Sequence, residues 1–246
     1  MIKIHKQSEI VQNLCEKCSF HVLCVPVMLN DKEINELNSV IRHSRRLKKG
    51  EYLFHAGESF RSIFAVRTGF FKTIVNSQDG RDQVTGFFMS GELLGLDGIC
   101  NNYYSCDAVA LEDSEVCELP FVNLEHAGSL IPTVQSHFYR MMSQEIVRNQ
   151  EIMLMLGNMR AEERLAAFLM NLSKRLNNRG FAANDFILRM SREEIGSYLG
   201  LKLETVSRTL SKFQHEGLIK VEHKHIQLVQ PWILHEIVLS CQKAVG

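Results

Sequence analysis

The chain has 246 residues with 28 basic and 28 acidic side chains, so its formal net charge is zero and its pI lies near 7.1. This length favours two modest domains, and 45% hydrophobic with 23% charged residues is ordinary for a globular protein. A uniformly basic surface for nucleic acid is excluded, so any basic patch must be local. No apolar run approaches the roughly 20 residues that span a bilayer, and the amino terminus lacks a secretory signal pattern, so we expect a cytoplasmic protein.

Three cysteines crowd the first segment, a predicted cysteine-rich arm over residues 1–30. Cys15, Cys18 and Cys24 lie within ten positions of a chain that has seven cysteines. Because a reducing cytosol keeps thiols unpaired, such a group indicates metal binding rather than disulfides. Four cysteine ligands are typical of both iron–sulfur clusters and structural zinc. The remaining cysteines, each a candidate fourth ligand on spacing alone, are Cys100, Cys106, Cys117 and Cys241.

Short β segments come next, in a predicted sensor domain over residues 31–130. Apolar runs alternate there with Gly, Asn and Asp turn signals such as SQDG at 77–80. Regularly spaced short strands of this kind predict a small barrel or sandwich. In the last run, SEVCELP, the alternation of a strand places Cys117 and Leu119 on the same face.

One long helix is predicted between the two domains, over residues 131–160. After Pro132, which suits the first turn of a helix, 27 residues contain no further proline and one glycine. Alternating steps of four and three give a heptad-like seam, which either packs on its own domain or pairs two copies of the chain. Its position between a β domain and a helical domain favours a dimer seam, whose polar member fixes register and weakens the dimer. The seam residues are Met142, Ile146, Asn149, Met153 and Leu156.

The most specific motif is MSREEIGSYLGLKLETVSRTLSKFQHEGLI, residues 190–219, in a predicted DNA-binding domain over residues 161–246. Ser191 and Glu194 have capping-box spacing ahead of a short helix, and Gly200 is suited to end that helix. Leu201 and Leu203 are expected in the connection, and a second helix is expected to bury Val206, Leu210 and Phe213. Two helices at this spacing form a helix-turn-helix, whose second helix enters the major groove of DNA. The segment LIKVEHKHIQLV that follows predicts a two-stranded wing. The alternative is an ordinary helical hairpin with a solvated polar face.

The polar face of the second helix supplies the candidate DNA contacts. Its first turn reaches base edges, where arginine can bind guanine through two hydrogen bonds, glutamate can accept from cytosine and serine can donate or accept. Contacts to phosphate position a protein without specifying sequence. The candidates for base contact are Glu204, Ser207 and Arg208, and those for phosphate contact are Lys202, Thr205 and Lys212.

The order of β-rich domain, long helix and SREEIGSYLGLKLETVSRTLSKFQ resembles the CRP/FNR superfamily of bacterial transcription regulators over nearly the whole chain. The segments CEKCSFHVLCVP, VCELPF and AEERLAAFLMNLSKR are similar to its FNR branch, the oxygen-sensing regulators of anaerobic gene expression. This resemblance implies an α+β protein with an N-terminal β-roll or jelly-roll sensor domain, a long dimerisation helix and a C-terminal winged helix-turn-helix domain. It also implies that Cys117 joins Cys15, Cys18 and Cys24 in binding a 4Fe-4S cluster.

The same resemblance implies a mechanism and partners. An oxygen-labile cluster stabilises a homodimer in that branch, and oxygen converts the cluster and favours the monomer. The dimer is expected to bind double-stranded promoter DNA at an inverted repeat of TTGAT type. Surface loops, here residues 77–83, are expected to contact RNA polymerase, although a plain hairpin turn is an equal interpretation of that loop.

Two alternatives keep this fold and change the ligand. A zinc-stabilised, constitutive DNA-binding protein would use the same thiols. A cyclic-nucleotide-responsive regulator would need a Gly-Glu pair and then an Arg-Ser pair to hold the cyclic phosphate. The chain has Gly91 and Glu92 but carries Tyr104 before Ser105, which disfavours that ligand.

A thiol redox enzyme would need an activated thiolate that the arm does not supply, and no catalytic motif is present, so we expect no enzymatic activity.

Overall fold

The structure is a computed structural model that describes residues 43–76 and 82–243. The arm with Cys15, Cys18 and Cys24 lies outside the described residues, as do residues 77–81 of the proposed polymerase-contact loop. The chain divides into two compact units, residues 1–146 and residues 147–246. Within the described ranges no helix has both the length and the apolar character needed to cross a membrane.

Antiparallel strands dominate the described part of the first unit. They form two four-stranded sheets, with strand orders β1-β8-β3-β6 and β2-β7-β4-β5. The strands are β1 (His43–Leu47), β2 (Tyr52–Phe54), β3 (Ser62–Thr68), β4 (Phe70–Asn76), β5 (Asp82–Met89), β6 (Leu93–Leu94), β7 (Asp107–Ala110) and β8 (Ser114–Pro120). Three helices accompany them: α1 (Gly98–Asn101), α2 (Phe121–Leu130) and α3 (Pro132–Asn158), of which α3 continues into the second unit.

Two apolar clusters lie on opposite faces of the sheet that contains β8. The first fills the space between the two sheets and includes Phe71 and Val116, both fully buried. The second lies between the outer face of this sheet and the helices α2 and α3, and includes Ile63 and Ala65. Because successive side chains of a strand point to opposite faces, β8 contributes Val116 to the first cluster and Cys117 to the second. The predicted jelly-roll architecture is confirmed.

The second unit is built around a helix-turn-helix with a small sheet. Its elements after α3 are α4 (Ala161–Asn177), β9 (Asp185–Ile187), α5 (Arg192–Leu199), α6 (Leu203–His215), β10 (Ile219–Glu222), β11 (His225–Leu228) and α7 (Pro231–Lys243). The strands pair in the order β10-β11-β9. One apolar face of α4 is buried: Leu165, Phe168, Leu169 and Leu172.

Most predicted elements match, with differences at their edges. The predicted helix over 131–160 is observed over Pro132–Asn158, and the predicted two-stranded wing has a third strand, β9. The second helix of the motif begins at Leu203, so the prediction that this residue lies in the connection was wrong. Helix α2 was not predicted; its exposed Val122 and Leu130 obscure the face that buries Leu124 and Ala127.

Candidate DNA-binding surface and cysteine site

Local hydrogen bonds fix both ends of α5, the first helix of the motif. The Ser191 hydroxyl accepts from the Glu194 amide at 3.1 Å, and the Glu194 carboxylate accepts from the Ser191 amide at 2.6 Å. These two bonds complete the predicted capping box. Gly200 then adopts φ +63°, a left-handed conformation that favours glycine and turns the chain toward α6.

Helix α6 presents a polar face while its apolar face is buried. Val206, Leu210 and Phe213 are almost completely buried, as the sequence predicted. Of the predicted DNA contacts, Lys202, Glu204, Arg208 and Lys212 are exposed, and Thr205 and Ser207 are half-buried. We call this face of α6, with Lys202 at its start, the recognition surface.

Two of the predicted contacts already have partners within the protein. The Lys212 ammonium donates to both carboxylate oxygens of Glu162 at 2.7 Å, and this hydrogen bond raises the pKa of Lys212 above its ordinary value. The Ser207 hydroxyl accepts from the Arg192 guanidinium at 3.3 Å. Because Glu162 neutralises Lys212, a phosphate contact by this lysine would require that pair to separate.

Sequence reasoning missed two residues of the recognition surface, Leu203 and Ser211. Leu203 is 44% exposed at the first position of α6, beside Glu204, and an apolar side chain there can contact the methyl group of thymine. Ser211 is exposed two turns after Glu204. The tip of the wing carries the predicted turn residues His223, with φ +57°, and Lys224, which donates to the carbonyl of Arg189 at 3.3 Å. A helical-wheel projection of the second helix would have placed Ser211 on the same face as Glu204.

Cys117 lies half-buried on the outer face of its sheet, among the side chains that pack against α2 and α3. In the paired strands, Ser44 of β1 lies directly opposite Cys117, and Ala65 of β3 lies opposite on the other side. Strand β1 therefore brings the chain that follows the arm alongside Cys117. No group of three or more His, Cys, Asp or Glu residues suited to a metal occurs within the described ranges, so further ligands for a metal bound at Cys117 would have to come from outside them.

The two other cysteines with described side chains are poorer candidates for a ligand. Cys106 is buried between the sheets, and burial raises the pKa of its thiol far above the ordinary value. Its thiol also donates to Asp97 at 3.6 Å. Since a metal binds the thiolate, Cys106 is disfavoured as the fourth ligand. Cys100 is exposed on the short helix α1, and the side chain of Cys241 lies outside the described residues.

The residues at which the resemblance would require a phosphate-binding Arg-Ser pair, Tyr104 and Ser105, bond to groups of the chain itself. Tyr104, which stands where an arginine would be needed, is buried, stacks on Phe54 at 4.0 Å and donates its hydroxyl proton to the carbonyl of Ser62 at 2.8 Å. The backbone amide of Ser105 donates to the Asp97 carboxylate at 2.6 Å. An anion approaching this amide would therefore meet a carboxylate, which disfavours a cyclic nucleotide as ligand.

An exposed apolar stripe runs along α3. Ile146 is 59% exposed, Met153 is 73% exposed and Asn149 is also exposed, so three of the five predicted seam residues are open to solvent, and Met142 is half-buried. Leu156 is only half-buried but lies toward the Gly200 backbone, within the second unit. The residues of the exposed stripe are Tyr139, Ile146, Val147, Met153 and Leu154. The predicted seam did not include Val147 and Leu154, which lie beside the positions chosen by alternating steps of four and three, or Tyr139, which lies one step before its first member.

A polar residue not included in the predicted seam lies in the middle of this stripe. Gln150 is exposed, four residues after Ile146 and four before Leu154. Side chains three and four positions apart are neighbours on a helix, so Gln150 is adjacent to both Ile146 and Leu154 of the stripe. Asn149, the predicted polar member, is also exposed but lies at its edge.

Comparison with known proteins finds relatives that agree with the architecture described above. Residues 44–127 match the family described as cyclic nucleotide-binding domain, and residues 163–237 match the Crp-like helix-turn-helix domain. The chain is 44% identical over 228 residues to the transcriptional activator protein FnrA of Stutzerimonas stutzeri, covering 93% of this chain and 92% of that protein. It is 43% identical over 229 residues to the transcriptional activator protein anr of Pseudomonas aeruginosa, covering 93% and 94%. The structure of FixK2 from Bradyrhizobium japonicum matches with a TM-score of 0.73 and 31% identity, covering 79% and 96%.

A jelly-roll domain, a long helix and a winged helix-turn-helix define a DNA-binding transcription regulator. The similarity to FnrA and anr extends over more than nine tenths of the chain, so the protein belongs to the CRP/FNR family, in its FNR-type branch. This family consists of transcription regulators rather than enzymes, in agreement with the expectation from the sequence. The match to a cyclic nucleotide-binding domain supports the fold, while the contacts of Tyr104 and of the Asp97 carboxylate disfavour a cyclic nucleotide as ligand.

Replacing Ser191 by alanine should destabilise the second unit by about 1 kcal/mol, because the Glu194 amide loses its cap. The free energy of unfolding, measured by calorimetry, and the hydrogen exchange of the Glu194 amide would both report this loss. Ser211→Ala is a matched control, since this serine bonds only to the carbonyl of Ser207 inside α6 and alanine is a better helix former. Equal stability of the two variants would contradict the cap.

Proposed function

We propose that this regulator senses oxygen through a 4Fe-4S cluster bound by Cys15, Cys18, Cys24 and Cys117, and that the intact site favours a homodimer that binds promoter DNA under anaerobic conditions. The observation that carries the proposal is the position of Cys117. It is the described cysteine that combines partial exposure with a direct structural link to the chain that follows the arm.

The surroundings of Cys117 fit a cluster ligand. Its thiol lies against apolar side chains such as Ile63 and Leu124, which limit the access of water. Low solvent access and hydrogen bonds to sulfur are the features by which proteins tune such clusters. The 20 residues from Cys24 to Ser44 could extend over roughly 65 Å, so chain length does not prevent the arm from reaching Cys117. When bound, the cluster supplies an oxygen-labile link between the arm and the β domain.

The described residues also support a dimer through α3. Exposed apolar patches on a soluble protein mark interaction sites, and the exposed stripe repeats at seven-residue steps from Tyr139 through Ile146 to Met153. A second copy of the chain would bury this stripe. Polar residues within it, Gln150 and Asn149, would hold the affinity low enough for the dimer to dissociate.

Two recognition surfaces in such a dimer would read two half-sites. We infer that Glu204, Ser207 and Arg208 contact base edges, since all three lie in the first two turns of α6, and that Lys202 and Thr205 contact phosphate. An inverted repeat of TTGAT type and contact with RNA polymerase remain expectations from the family. Zinc in place of the cluster is the second candidate, because its preference for four thiolates is the same.

Cys117→Ser should abolish the visible colour and the iron and acid-labile sulfide of protein purified without oxygen, because it removes one of four ligands. Cys100→Ala, an exposed thiol in the same unit, is the control and should keep the full content. Absorption spectra before and after air, with iron, sulfide and zinc analysis, measure the result. Full iron content in Cys117→Ser would exclude this ligand, and a colourless wild-type protein with stoichiometric zinc would replace the oxygen-sensing proposal with the zinc alternative.

Replacing a polar residue of the exposed stripe should strengthen the dimer in air. Gln150→Leu and Asn149→Leu each add apolar area to the interface, and sedimentation of the aerobic protein should give a larger dimer fraction. Gln144→Leu is the matched control, because Gln144 is exposed on the opposite side of α3. If both stripe variants stay as monomeric as Gln144→Leu, α3 does not form the interface through this stripe. An effect of Gln150→Leu alone would assign the polar position to Gln150.

Arg208→Ala should weaken binding by about 1–3 kcal/mol at one base pair of each half-site and relax the sequence preference there. Lys202→Ala should instead weaken binding equally on all sequences and lower the salt dependence by about one phosphate contact. Affinities for an operator and its single-base-pair variants, at several salt concentrations, separate the two effects. An equal loss on every sequence for Arg208→Ala would mean that this arginine contacts only phosphate.

A further inference from the structure

One arginine joins the end of the long helix to the helix-turn-helix. The Arg164 guanidinium donates from Nη2 to the carbonyl of Leu156 at 2.8 Å and from Nε to the carbonyl of Met159 at 2.8 Å. Its remaining terminal nitrogen, Nη1, donates to the carbonyl of Leu199 at 2.9 Å. The side chain thus bonds to three backbone carbonyls, all within the second unit.

Two of these acceptors need a partner because α3 ends there. The amide of Arg160, which would bond to Leu156 in a continuing helix, donates instead to the Glu163 carboxylate at 2.7 Å. The last carbonyls of a helix lack backbone donors and carry partial negative charge, so a cation stabilises them. Arg164 supplies both the missing hydrogen bond and the charge.

The third acceptor connects the end of α3 to α5, the first helix of the motif. Leu199 is the last residue of α5, 35 positions from Arg164 along the chain, and it precedes the turn at Gly200. A Cβ atom on Gly200 would lie 3.3 Å from Nη1 of Arg164 and 3.6 Å from Leu156 Cδ2. The end of α3 and the turn that leads into α6 therefore lie on opposite sides of one guanidinium. Lysine has a single terminal nitrogen and cannot form this planar set of bonds.

We propose that Arg164 is a positioning residue: it fixes the recognition surface on the end of α3 and thereby determines the half-site spacing that the dimer accepts. This inference rests on the proposed dimer. Each recognition helix of a dimer reads a half-site about one helical turn from the other, and the spacing is selective only if both are held rigidly on the dimerising helices. Without the three bonds, the recognition surface would still fit a half-site but would tolerate a changed spacing.

Arg164→Gln removes the charge and two of the three donor nitrogens, while Arg164→Lys keeps the charge. Lys174→Gln is the control, because it removes an exposed cation from the same helix. Full-length protein purified without oxygen is tested by fluorescence anisotropy on three kinds of duplex. These carry inverted TTGAT half-sites at the natural spacing, the same half-sites with one base pair added or removed, and a single half-site.

We expect the ratio of affinities for the natural and the altered spacing to fall about tenfold in Arg164→Gln. The affinity for a single half-site and the dimer fraction in sedimentation should stay unchanged. Arg164→Lys should fall between Arg164→Gln and wild type, and Lys174→Gln should match wild type. A merely structural role predicts an equal loss on all three duplexes, and that result would overturn the proposal, as would an unchanged spacing preference.

Hydrogen exchange separates this inference from the proposed function. The amides of Gly200 and Leu201 donate to carbonyls of α5 and should exchange faster in Arg164→Gln, whatever the oligomeric state. Unchanged exchange would overturn the role of Arg164 directly. If wild-type protein itself binds paired and single half-sites equally, the proposed dimer fails, while faster exchange in the variant would still support the link between α3 and α5.

Discussion

The antiparallel pairing of β1 with β8 is the constraint on which the cysteine site depends. It sets Ser44 opposite Cys117, and the neighbouring pair sets Arg45 opposite Val116 of the inner cluster. Glu115 reinforces this pairing: partial burial disfavours its charge, yet hydrogen bonds from Ser44 and Arg67 hold the pKa of its carboxyl below the ordinary value. Strand β1 therefore holds Ser44 beside the strand that carries Cys117.

The long helix α3 extends from the first compact unit into the second and carries two distinct features. The exposed stripe on α3 offers a surface for a second copy, and the carbonyls at its end accept hydrogen bonds from Arg164. If two copies pair along the stripe, Arg164 would connect the end of α3 to the turn before α6, both of which lie in the second unit. Communication of this kind needs an element with two discrete arrangements, and the associated and dissociated states of α3 would supply them.

Features encoded over a few neighbouring residues could be predicted from the sequence. The strand SEVCELP, the capping box at Ser191 and the burial of Val206 all follow from local periodicity or spacing, and each is observed. Features that arise from distant contacts could not. The bond from Arg164 to Leu199 joins residues with no shared pattern, and β9 spans three residues, too few for periodicity. Spacing could not choose the fourth cysteine; the resemblance chose Cys117, and the burial of Cys106 between the sheets is a separate ground that only the structure supplies.

The pairing of Asp97 with the Ser105 amide has an evolutionary consequence. Restoring a nucleotide pocket would require at least two replacements, at Tyr104 and at Asp97. A guanidinium at position 104 alone would be buried among the rings of Phe54 and Phe60, where its charge would lack the partner that a buried charge needs. We expect that intermediate to be less stable than the present protein, which opposes a stepwise change toward control by cyclic nucleotides.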